Sequence, residues 1–135
     1  MIFDTSYSDK EITRQIDKMV GKSFSWKQRW KMGGIGSRRM TIHGISDEYK
    51  KYMNADHYVS TANIELRPKG IILHFRHKLQ AYSWIMPYTS LSIQYKGSLR
   101  LESAGKFIQF DEPRNQKFIR QMLELARSGQ TTLPS

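Results

Sequence analysis

Apolar positions recur along this chain with two periods, and the change from one to the other divides it. Between Ser8 and Val20 the residues Ile12, Ile16, Met19 and Val20 fall three or four apart, the single stripe of an amphipathic helix. Ser8 followed by Glu11 reads as a capping box, and Gly21 as a stop. From Phe24 the period shortens to two. Phe24, Trp26, Gln28 and Trp30 alternate with Ser25, Lys27, Arg29 and Lys31, which predicts a strand with one dry and one cationic face. The spacing of Trp26 and Trp30 also suits one side of a helix; the strand is the preferred reading, with both indoles on its dry face. Gly33, Gly34 and Gly36 then form a flexible turn, and Arg38 to His43 reads as a short strand. The polar run SDEYKKYMNAD reads as a short helix or a long loop.

Beyond it the pattern is β. Tyr58 to Arg67 sets Tyr58, Ala62, Ile64 and Leu66 on one face, and Pro68-Lys69-Gly70 is a turn with fixed and permissive φ angles side by side. Ile71 to His77, Ala81 to Met86, Leu91 to Lys96, Leu99 to Glu102 and Lys106 to Phe110 follow at turn-length spacing. So little helix separates them that parallel crossovers are excluded, and an antiparallel meander is expected. The chain closes with a helix. Asp111 or Glu112 complements its positive end, Pro113 suits its first turn, and Gly129 ends it. Phe118, Met122, Leu125 and Ala126, widened by Ile119 and Leu123, form its apolar stripe. Residues 130–135 read as a flexible tail.

Composition changes this picture in two respects. The 135 residues carry no cysteine, which excludes disulfides, thiolate zinc sites and cysteine nucleophiles and fits a reducing interior. The absence of a signal-peptide pattern or a bilayer-length apolar run makes a cytoplasmic protein the expectation. The net charge is +10, a field that favours polyanions such as nucleic acid, acidic lipid headgroups or acidic proteins. Much of it is concentrated in KSFSWKQRWKMGGIGSRR, which holds Lys22, Lys27, Arg29, Lys31, Arg38 and Arg39 and no acid. Tryptophans exposed beside those cations would favour stacking of single-stranded bases; buried ones would favour a structural role with at most a phosphate-scale contact.

Catalytic patterns are weak. His74 and His77 lie three apart, which on a strand sends the rings to opposite faces, and no cysteine or nearby acid completes a metal shell. GGIG lacks the lysine and the strand-to-helix context of a phosphate loop, and the strands around it do not suit the glycine loop of a KH domain. Nothing resembles a nucleophile elbow. His43 and His57 fall in the least predictable segments and could join a pocket. No enzyme, metal or cofactor is expected.

Three segments carry a resemblance. ANIELRPKGIILHF, WIMPYTSLSIQY and KFIQFDEPRNQKFIRQMLELARSG, in this order, resemble the strand-turn-strand unit, the hydrophobic-Pro-Tyr segment and the last strand with its helix of bacterial pleckstrin-homology-like domains. The resemblance covers Ser60 to Gly129, about half the chain. It implies an α+β fold, mainly β: a strongly bent antiparallel sheet or partly open barrel of about seven strands, capped by the C-terminal helix. Phe24 to Lys31 and Arg38 to His43 would supply its first strands. The expected organisation is then a helical extension at 1–21, the domain at 22–129 and the tail at 130–135. Eukaryotic members bind phosphoinositides through a loop with Lys and then Arg-x-Arg. The equivalent loop here, Lys31 to Arg39, ends Arg38-Arg39-Met40 and lacks the final basic residue, so the resemblance implies generic anion binding.

The sequence therefore leads to a non-catalytic binding domain. It would contact a protein partner or an anionic membrane surface through Lys27, Arg29, Lys31, Arg38 and Arg39, with single-stranded nucleic acid as the alternative. A homo-oligomer is expected through the N-terminal helix, whose apolar stripe needs a cover.

Overall fold

A computed structural model describes residues 1–53, 60–111 and 115–131, the side chains of 130 and 131 excepted. His57, Tyr58, Glu112, Pro113 and the last four residues, to which the sequence assigned places, lie outside the described residues. The strands are β1 (Ile2–Asp4), β2 (Met40–Ile45), β3 (Thr61–Arg67), β4 (Gly70–His77), β5 (Gln80–Pro87), β6 (Leu91–Lys96), β7 (Ser98–Ser103) and β8 (Lys106–Phe110). The α-helices are α1 (Lys10–Val20), α2 (Trp26–Met32) and α3 (Gln116–Thr131), and Asp47–Tyr52 forms a 3-10 helix. The fold is α+β. Its eight strands form one unclosed sheet in the order β1-β5-β4-β3-β2-β8-β7-β6, with antiparallel pairing throughout.

Two meanders, β3-β4-β5 and β6-β7-β8, meet at β2. Met40 and Thr41 pair with Ala62 and Thr61 of β3, whereas Ile42 to Ile45 pair with β8 across a register shift between Ile42 and Gly44. A bulge bends a strand and raises its twist, so β2 is the corner that faces one meander toward the other. Ile64, Leu66, Leu73, Met86, Leu99, Leu101 and Phe110 are sealed between them, and Ile119, Met122 and Ala126 of α3 close the same cluster. Strands β3 and β7 alternate buried and half-buried residues without a break, as the period of two requires.

The α3 stripe is rotated from its expected position. Ile119 and Met122 are its deepest residues, while Phe118, Leu123 and Leu125 are partly buried. Gly129 does not end this helix, which runs on to Thr131. The glycine answers a close approach instead: a Cβ there would lie 2.7 Å from Tyr88 Cδ2.

Residues 70–73 of β4 are buried on both faces, because α1 covers the outer one. Ile16 and Val20 pack on Ile72 and Ile85, with Phe3, Ile12 and Met19 around them. Contact is tight at Gly70, where a Cβ would come within 2.5 Å of Val20 Cγ1 and 2.6 Å of the Met86 carbonyl oxygen. The cap of α1 is Asp9 rather than Ser8; its Oδ1 accepts from the amides of Glu11 at 2.9 Å and Ile12 at 3.2 Å. The helix stripe is thus covered by its own chain, which removes the ground for expecting a second copy on it. The N-terminal segment is also more than a helical extension, since β1 adds a strand beside β5 with Ile2 opposite Trp84.

Candidate functional site

The basic stretch folds against expectation. Trp26–Met32 is a helix, not a strand. Ser25 Oγ accepts from the Gln28 amide at 3.3 Å while Gln28 Oε1 accepts from the Ser25 amide at 3.0 Å, a reciprocal capping box. Gly33 ends it in the left-handed region at φ 77°. With about 100° between successive residues, Met32 and Gln28 share one side, and Met32 packs against the core. Trp26 and Trp30 stand on the other. They are 74% and 83% exposed, among the most exposed large apolar side chains described. Lys27 and Lys31 flank them on one side and Arg29 on the other. Arg29 Nε donates to the Phe24 carbonyl at 3.0 Å, which holds that guanidinium along the helix. The outcome is an exposed ridge of two indoles with two lysines on one side and one arginine on the other.

The five expected cations do not converge. Lys27, Arg29 and Lys31 border the indoles. Past the glycines, Ile35 tucks against the core, and its carbonyl accepts from the Leu66 amide at 2.8 Å. The chain is extended from there, so neighbouring side chains part. Arg38 lies beside Gly34, Gly36 and Lys117 near the start of α3. Arg39 instead lines a cleft on the outer face of the sheet.

That outer face carries a polar relay. Arg67 Nη1 donates to Asp17 Oδ1 at 3.0 Å and to the Gly21 carbonyl at 2.8 Å, and its Nε lies 2.5 Å from Glu65 Oε2. Glu65 Oε1 is 2.9 Å from His74 Nε2, His74 Nδ1 is 3.1 Å from Ser83 Oγ, and Ser83 Oγ is 3.0 Å from Thr5 Oγ1. Burial pushes the Glu65 carboxyl up, but hydrogen bonds from His74 and Arg67 and the charges of both outweigh it, so its pKa is held below the usual value. With Glu65 ionised, His74 donates to it from Nε2, and Nδ1 shares a hydrogen bond with Ser83 Oγ. The order acid, imidazole, hydroxyl is that of a nucleophile relay. Ser83, however, is only 2% exposed and its oxygen is shared with Thr5. This relay ties β3, β4, β5 and Thr5, the residue after β1, to α1.

His77 has the same strand parity as buried Phe75 and so faces away from His74, as the strand period requires. His43 pairs with Asp111 at 3.1 Å on an exposed surface. Among the described residues no group of three or more histidines and acids is placed to hold a metal, and no helix is long and apolar enough to cross a membrane.

The α2 helix was missed because eight residues of alternation outweighed its end signals. Ser25-x-x-Gln28 before it and Gly33 after it were the available evidence of a helix. No family model, no curated protein and no solved structure matches this chain.

Proposed function

We propose that this protein is a non-catalytic binding domain of pleckstrin-homology-like architecture, cytoplasmic, that docks peripherally on anionic lipid surfaces through α2. The exposed Trp26–Trp30 ridge flanked by Lys27, Lys31 and Arg29 carries the reading. Indole rings partition to the headgroup level of a bilayer. Cations beside them gain about 1 kcal/mol each near an anionic surface. Two bulky apolar side chains held in water by a capped helix cost free energy that such a surface recovers. The sheet that bends at β2 and the helix filling its interior support the architectural part.

The same exposure favours single-stranded nucleic acid, the second reading, because indoles beside cations stack on bases. Lipid comes first because both indoles and their cations sit on one short surface helix, which can lie at the headgroup level. The test is co-sedimentation with phosphatidylcholine vesicles, with and without phosphatidylserine, at low and high salt, beside a single-stranded oligonucleotide. Binding that needs phosphatidylserine, falls with salt and is lost in Trp26→Ala/Trp30→Ala is the expected result. Salt-sensitive oligonucleotide binding without vesicle binding would move the assignment to nucleic acid, and binding to neither would leave an acidic protein partner.

A further inference from the structure

A second cluster of cations, distinct from the α2 ridge, lies on the outer face of the sheet where α1 does not reach. There a cleft of about 510 Å³ opens, within the size range of small-molecule pockets. Arg39, Arg76 and Lys78 line it, no acid does among the described residues, and Thr61, Asn63 and His74 contribute polar side chains to it. From this arrangement we infer that the cleft binds a phosphate monoester, with the three cations on the phosphate and Asn63 and Thr61 on the organic part.

Register explains how the groups meet. Asn63 lies directly opposite His74, and Thr61 follows Asn63 on the same face of β3. Arg76 follows His74 on the same face of β4, and Lys78 sits in the β4–β5 turn with φ 57°. The pairing of Met40 with Ala62 brings Arg39, one residue earlier, to the edge beside Asn63.

Charge supplies the second argument. Among the described residues, Arg14, Lys50, Arg67, Arg100 and Lys106 each have a carboxylate partner. Arg39, Arg76 and Lys78 have no ion-pair or hydrogen-bond partner among the described residues, and neither does the half-buried Asn63 amide. Glu65, two residues along the same face of β3 from Asn63, is committed to Arg67 and His74. Its hold on His74 Nε2, with Ser83 at Nδ1, fixes the imidazole as a rigid floor. Three like charges around one hollow repel each other, and a dianionic phosphate reverses that repulsion while gaining charge-assisted hydrogen bonds.

The experiment is an amide chemical-shift titration with inorganic phosphate and with glycerol 3-phosphate, against sodium chloride at matched ionic strength. Saturable shifts at Asn63, Arg76 and Ala81 are expected. Arg76→Gln/Lys78→Gln should weaken binding by about tenfold or more, the scale of one charge-assisted hydrogen bond. Both side chains are exposed, so unchanged thermal unfolding should confirm that the variant folds. Trp26→Ala/Trp30→Ala should leave the titration unchanged, which separates this site from the lipid-docking ridge. Vesicles containing phosphatidic acid, whose headgroup is itself a phosphate monoester, distinguish the sources. Loss of their binding in the cleft variant assigns the lipid, and retention with loss of glycerol 3-phosphate binding assigns a soluble ligand. Shifts that sodium chloride reproduces, or an affinity the double substitution does not lower, would overturn the site.

Discussion

Glu65 links Arg67 of its own strand to His74 of β4, at the centre of a relay that runs on to Asp17 of α1 and to Ser83 of β5. Its folded pKa is depressed, so the stability it confers is present above the ordinary carboxylate value and is lost as pH falls through the lower folded one. Urea midpoints measured from neutral pH down through the carboxylate range should fall less steeply for Glu65→Gln than for the parent. At neutral pH the substitution should cost about 2 kcal/mol, because Arg67 and His74 each lose a charged acceptor. Gly129 sets two opposing effects against each other. Alanine would gain about 1 kcal/mol of helix propensity, but its Cβ would sit 2.7 Å from Tyr88 Cδ2 and 3.0 Å from Tyr88 Cβ. Tyr88 is sealed in the core, with its hydroxyl donating to the Arg67 carbonyl at 3.0 Å, and has little room to move. Overpacking costs about 1–3 kcal/mol, so Gly129→Ala should lower the urea midpoint; a rise would show that Tyr88 yields.

At the scale of elements, α2 is held by its caps more than by its packing, since Met32 is its one residue packed on the core. Ser25→Ala should therefore fray it, at about 1 kcal/mol of local stability. Amide exchange across Trp26–Met32 should quicken and vesicle affinity should fall, while global unfolding barely moves. Equal losses in exchange protection and global stability would show that α2 belongs to the cooperative core. The same property made α2 hard to read. A seven-residue helix spans fewer than two turns, so a period of 3.6 is scarcely distinguishable from one of two. The β strands were legible because Ile64, Leu66, Leu99 and Leu101 alternate against a core shared by both meanders. The three-residue β1 shows no period at all, and only its pairing with β5 defines it. Which cations would gather was hidden for a related reason. It depends on Ile35 anchoring the chain, and on Arg38 and Arg39 leaving that anchor in different directions.

Across the described residues most acids are used locally, and the cations left without a carboxylate partner include those at α2 and around the outer cleft. A net charge of +10 on 135 residues makes the folded state repel itself. Salt should then act on stability and binding with opposite signs. Screening shortens the reach of charge to about 10 Å at 0.1 M, which relieves the repulsion among Lys27, Lys31, Arg39, Arg76 and Lys78. It also weakens exposed pairs such as Arg14–Glu11 and Lys50–Asp47, but those contribute about 0–1 kcal/mol each. The partly buried links of Arg67 to Glu65 and Asp17 are screened less. Raising sodium chloride from low to physiological strength should therefore raise Tm by a few degrees while vesicle affinity falls. Calorimetry and co-sedimentation over one salt series read both. A Tm that fell with salt would mean that the exposed pairs outweigh the self-repulsion, and the surplus charge would no longer argue for an anionic partner.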